Sequence, residues 1–437
     1  MSDPGSGGFG GVFDPRNFAG IPFLQELAKI LAWNGGPVNW ELARQIAASV
    51  TSGSGRALGA GDRASDEFAQ AVSAAELWLD TVTNLPAVEG PARVLDTTEW
   101  VRLTTSSVGL GFYLEPVAKG STEALTKGLP DELGSLLGGM GGMGGMGGIG
   151  AGGPGQLLGA VGAALQGVQA GTVAGHLSHQ LLGTYDLGVP TLEPHMVGLV
   201  GDTARRFASD YDFDQTEFRY WLALREAAHR RQFAGVDWLR GHVATLVGRF
   251  AAGADMNPER LFESLSGMGL DASALSDPSR VREALEGAEG LRMEPTPAQR
   301  TVLAQLQALV SFTEAWVDTV VRTAAADKLP SLARFEEAVR RRRAEKGPGE
   351  RFLEQLVGLD LKPGDVRAGQ AFCDAVVAAR GQRGLDRAWQ SADLLPLPAE
   401  IADPSRWLLR LAAGEDATEI DDPVGELPEI PDDLGEL

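Results

Sequence analysis

Apolar residues return at three- and four-residue spacing along most of the chain, and the strict alternation that a half-buried strand needs is scarce. The pattern therefore predicts a mainly α protein with at most a small sheet. Residues 1–20 are rich in Gly, Pro and Asp and are expected to be flexible. From Ile21 the spacing becomes helical, and residues 21–137 form a helical N-terminal region. Within it Asn39 can cap WELARQIAASV, Asp66 lies near the start of EFAQAVSAAELWLDTVTNL, and Thr97 or Thr98 precedes EWVRLTTSSV.

Between Glu132 and Asp186 there is no Asp, Glu, Lys or Arg. The Gly/Met-rich residues 138–155 read as a flexible linker. The following Gln156–Leu182 reads as a helix, interrupted by Gln166, Gln169, His176, Ser178, His179 and Gln180. A membrane span needs ~20 predominantly apolar residues, so a helix buried in protein is expected and no span. Gly159, Ala163, Gly167, Gly171 and Gly175 recur every four positions, a stripe that lets a second helix come close. His176 and His179, one turn apart, are read as interior or capping residues. Residues 156–412 form the second helical region, with starts expected at Asp237, Asn257-Pro258, Asp277-Pro278 and Pro295 to Pro297. Arg340–Arg343 read as a solvated helix end, and residues 413–437 as a disordered acidic tail.

The chemistry concentrates in Asp214–Phe233. Asp214 followed by Glu217 is a capping-box-like start, and Phe218, Leu222, Arg225, His229 and Gln232 then share one helical face. On that face REAAH differs by one residue from H-E-x-x-H, in which two histidines one turn apart bind zinc and the glutamate is the general base. The first histidine is replaced by Arg225. A second position stands out in the helix after Pro297: Glu314 lies in an apolar stripe with Leu303, Val310, Val317 and Val321, and Asp318 falls one turn later. A buried carboxylate is costly unless paired or metal-bound.

Charge and cysteine content narrow the field. The net charge is −21, which argues against nucleic-acid or anionic-membrane partners. Ten acidic residues lie in 415–437, which has no Lys or Arg, so the rest of the chain carries −11. The single cysteine, Cys373, excludes an internal disulfide and a multi-cysteine zinc site, and is expected to be a buried thiol. With an N-terminal segment that has neither a basic nor an apolar stretch, it points to the cytoplasm.

The Tyr185-Asp186-Leu187, FRYWLALREAAHRRQF, Val236–Arg240, Glu314–Asp318 and FLEQLVGLDLKP blocks, in this order, resemble the actinobacterial zincin-like zinc metallopeptidases over about residues 20–412. The resemblance implies a multi-helix architecture with the motif helix packed on the later Glu-bearing helix. It also implies Glu226 as base, His229 as a zinc ligand and Glu314 as the third ligand. Arg225 stands where the first ligand belongs. A guanidinium stays protonated and has no lone pair for a metal. It could instead pair with Glu314, Glu226 or Asp318.

Three readings follow. One is a catalytically impaired homologue acting as a scaffold or as a peptide- or protein-binding protein. Another is a working zinc hydrolase with a rearranged site of His229, Glu314 and one of His242, His195 or Asp318, with Glu226 as base. The third is a helical structural protein in which Arg225, Glu226 and His229 form an ordinary buried cluster.

Overall fold

The computed structural model describes residues 33–51, 62–128, 154–253, 296–345 and 363–421. Its elements are α1 (Trp40–Thr51), α2 (Asp62–Leu79), β1 (Ala92–Leu95), α3 (Thr97–Thr104), α4 (Gly111–Gly128), α5 (Pro154–Leu177), β2 (Val197–Val200), α6 (Gly201–Asp210) and α7 (Gln215–Phe233). They continue as α8 (Leu239–Ala252), α9 (Pro297–Ala325), α10 (Leu332–Glu345), α11 (Pro363–Asp386), α12 (Pro398–Ala402) and α13 (Pro404–Asp421), with 3₁₀ turns at Arg387–Trp389 and Ala392–Leu394. The fold is mainly α. Among the described residues the sheet is one parallel pair, β1 with β2, in the register Ala92 to Val197 through Leu95 to Val200.

Local chemistry sets the helix starts. Asn39 Oδ1 accepts from the N–H of Leu42 at 3.0 Å and caps α1, as expected. Asp96, rather than Thr97 or Thr98, caps α3 by accepting from Glu99 N–H at 2.7 Å. The helix near Asp66 begins earlier, at Asp62. Thr296 and Gln299 close a reciprocal capping box ahead of α9, with Pro297 at the first helical position. The expected Asp237 cap is not made: α8 begins after Trp238 with no side-chain cap.

The small-residue stripe on α5 finds its partner in α1. A Cβ added at Gly171 would lie 2.3 Å from Ala43 O and 2.9 Å from Ile46 Cβ, one at Gly167 would lie 2.5 Å from Asn39 O, and one at Gly175 would lie 2.7 Å from Val50 Cβ. Only glycine lets the two backbones come this near. A second layer joins α7 to α2 on one side and to α9 on another, while α9 also packs on α8 and α11. Its core includes an aromatic group of Phe207, Phe213, Phe218, Trp221 and Phe335, so α6, α7 and α10 share one apolar contact. Cys373 is fully buried, and burial pushes its thiol pKa up.

The starts expected at Asn257 and Asp277, the FLEQLVGLDLKP block through Lys362, residues 1–20 and the linker through 153 lie outside the described residues. The helix α13 runs to Asp421, past the expected end at 412. No helix among the described residues is long and apolar enough to cross a membrane.

Candidate functional site

The centre of the molecule is α7. Asp214 Oδ1 caps it by accepting from Thr216 and Glu217 N–H at 2.9 and 2.8 Å. The Glu217 carboxylate does not return to the cap; it accepts from Ser331 N–H and Oγ–H, which ties the helix start to the approach of α10. From Trp221 to Phe233 every residue is buried, so α7 is enclosed rather than amphipathic. On the far side Arg230 and Arg231 each reach the Glu76 carboxylate at 2.7 Å, and Arg231 also reaches Asp80. These arginines anchor α7 to α2.

The opposite face carries the motif. Arg225 donates from Nη2 to Glu314 Oε2 at 2.8 Å and from Nη1 to Asp318, so its fork spans one turn of α9. The side chains of Arg225 and Glu314 are 10% and 5% exposed and that of Asp318 is 26% exposed. Trp221 lies beneath the guanidinium, with 5.4 Å from its carbon to the ring centroid. Burial alone would lower the Arg225 pKa, but Asp318 and Glu314 outweigh it and raise it.

His229 lies one turn further on. Its Nε2 is 3.2 Å from Glu314 Oε1, yet neither ring nitrogen nor that oxygen makes an aligned hydrogen bond. Tyr185 stacks on the imidazole at 5.3 Å and donates its hydroxyl to Pro194 O at 2.6 Å. Glu226 turns away from both, toward the strand edge. Gly183 to Tyr185 run beside β2, with Thr184 N–H on Gly198 O, and this brings the N–H groups of Thr184 and Tyr185 to 3.1 and 3.2 Å from the Glu226 carboxyl. A Cβ at Gly183 would meet Glu226 Oε1 at 2.3 Å, so any larger residue there would have to displace that carboxyl. Burial pushes Glu226 up to about 8 against those two N–H bonds, so it carries its proton at neutral pH.

The arginine run corrects the sequence-based expectation. Arg340 and Arg341 are solvated and pair with Glu337, but Arg342 and Arg343 turn inward. Arg342 donates to Asp186 and to Gln180 O, and Arg343 Nη1 lies 2.8 Å from Glu314 Oε2. Phe335, fully buried in the aromatic group, fixes α10 so that its last turn arrives here. For Asp186, burial would raise the pKa, but Arg342, Arg343 and the Leu182 N–H bring it below the ordinary range. For Glu314, burial is outweighed by Arg343, His229 and Arg225, which hold it well below that range.

Arg225, Glu226 and His229 line, with Tyr185 and Asp186, a cavity of about 10 Å³, room for one water molecule, while Glu314 and Asp318 meet Arg225 outside that lining. The other candidates lie elsewhere. His195 is exposed and bonded to Glu193, and His242 is half-buried against Trp238; neither lines the cavity. Asp186, Arg342 and Arg343 are the participants that spacing did not identify. The Tyr185-Asp186 block was the available signal for the first.

Zinc sites offer three or four lone-pair donors. Here only His229 and Glu314 face one another, the third place holds a guanidinium, and Glu226 is spent on the backbone. Arg225, Arg342 and Arg343 already balance Asp186, Glu314 and Asp318, so no anionic charge is left for a dication. Among the described residues no group of three or more His, Cys, Asp or Glu could hold a metal ion. As these side chains stand, they do not fit zinc.

A buried helix with Glu and His three residues apart, faced by a carboxylate on a second long helix, defines the class: a helical metallopeptidase-like protein. The profile of the zincin-like metallopeptidases matches residues 38–408, and the chain belongs to that family. Among solved structures, it is similar to a candidate hydrolase with a novel fold from Chloroflexus aurantiacus, with a TM-score of 0.56 and 23% identity over 86% of this chain and 99% of the other. At that identity the likeness concerns the fold. Among curated proteins, no sequence matches.

Proposed function

We propose that this chain is a zincin-like homologue that has lost metal-dependent catalysis and serves as a scaffold or as a peptide- or protein-binding protein. The observation that carries this reading is the Arg225 fork on Glu314 and Asp318, a cation where the motif needs a lone pair. A salt bridge then joins α7 to α9 in place of a metal. A cytoplasmic location belongs to the same proposal, supported by the lone, buried Cys373. The test is elemental analysis of protein purified free of metal, re-supplied with zinc and dialysed. The expected result is far less than one zinc per chain, and about one per chain refutes the reading.

A second reading, a zinc hydrolase using His229, Glu314 and Glu226 as base, is favoured by one observation. His229 Nε2 and Glu314 Oε1 face each other at 3.2 Å without an aligned hydrogen bond. It requires Arg225 to leave its carboxylates. Hydrolysis of a peptide library that is abolished by Glu226→Ala and by chelation favours this reading. Activity absent from the unaltered protein excludes it.

A further inference from the structure

Two guanidiniums converge on one oxygen. Arg225 Nη2 from α7 and Arg343 Nη1 from α10 each lie 2.8 Å from Glu314 Oε2, on a carboxylate side chain only 5% exposed. Like charges this close repel, and the cluster tolerates them because each has a further anion: Asp318 for Arg225, and Asp186, 3.9 Å away, for Arg343. The motif substitution supplies only one of the two positive charges. The other comes from a helix about a hundred residues later in the chain, which α10 positions through the seat of Phe335 in the aromatic core.

We propose that Arg225 and Arg343 together are the resident double positive charge of this site, an internal replacement for a divalent cation, so that α10 excludes metal as much as the altered motif does. This rests on the reading above that the site works without metal. The second guanidinium keeps the carboxylate neutralised even when position 225 is changed. The loss of metal binding is therefore held in place twice, from two elements.

The test compares zinc binding, by elemental analysis and competition with a chromophoric chelator, in the unaltered protein, Arg225→His, Arg225→His/Arg343→Gln and Arg225→His/Arg343→Lys. Restoring the motif alone is expected to give weak binding, removing the second charge as well to tighten it by at least about tenfold, and the lysine version to stay weak. If Arg225→His binds zinc as tightly as the Gln double variant, the proposal falls while the account of Arg225 stands. If the Lys double variant binds as tightly as the Gln one, charge is not the cause and the proposal also falls. Zinc bound by the unaltered protein overturns the underlying reading instead. Should the Gln double variant fail to fold, Arg225→His/Arg343→Met carries the same test, with zinc binding at least about tenfold tighter than in Arg225→His expected and equal binding overturning the proposal.

Discussion

Replacing Arg225 by methionine tests whether its cation holds α7 and α9 together. The substitution keeps an unbranched apolar stem of similar reach and removes the fork, leaving Glu314 with Arg343 and Asp318 without its guanidinium. Removing one partner of a buried ion pair costs roughly 3–5 kcal/mol, because the other charge stays buried. The Asp318 arm is 26% exposed, and water recovers part of its loss; Glu314 keeps a second cation. Loss of the Trp221 contact adds up to about 1 kcal/mol. The expected cost is therefore near the lower end, about 3 kcal/mol, or about 1 M in urea midpoint for a slope of about 3 kcal/mol per M. Equilibrium urea unfolding followed by tryptophan fluorescence measures it, with Arg340→Met, which breaks a solvated pair, as a control expected to leave the midpoint in place. If Arg225→Met is as stable as the control or more so, the guanidinium is not a staple and the reasoning fails.

Other outcomes follow from the same geometry. Burial pushes the folded Glu226 pKa up to about 8 against 4.5 unfolded, so the folded state holds more protons between those values and stability falls as pH rises from 4.5 to 8, by on the order of 5 kcal/mol in full. Glu226→Gln should flatten that slope, as read by urea midpoints at pH 5.5 and 8.5; parallel slopes for the two proteins would count against burial as the cause. Gly183→Ala forces a methyl against Glu226 Oε1 and should cost on the order of 1–3 kcal/mol, again by urea unfolding. Gly171→Val drives α1 and α5 apart through the Ala43 carbonyl and should lower the melting temperature, whereas Gly120→Ala, with open space around it, should not.

The helical class, the close approach of another helix to α5 and the burial of Cys373 were legible because each rests on local period or on residue type, whereas the packing of α7 on α9 was implied by the family resemblance. Glu314 drew notice as a carboxylate in an apolar stripe, and the geometry gives it partners. The inward turn of Arg342 and Arg343 was not legible. A run of four arginines at a helix end has the same local signature whether solvated or docked, and the direction is set by Phe335 and the distant aromatic core. The role of Glu226 was hidden for a similar reason. Its spacing is that of a general base, but the backbone of Gly183–Tyr185 that takes up its carboxyl is fixed by pairing beside β2. Likewise Asp237 is a good capping residue by type, yet α8 starts beyond it. Long-range placement decides which of several locally reasonable partners a polar side chain takes.

On the proposed reading, the Arg225 cation stands where the motif would hold a metal. Crystals of the unaltered protein soaked in zinc, with diffraction data collected on either side of the zinc absorption edge, test it most directly. Arg225 density joined to Glu314 and Asp318, with no anomalous peak between His229 and Glu314, is the expected result. An anomalous peak there, with Arg225 displaced, would contradict it.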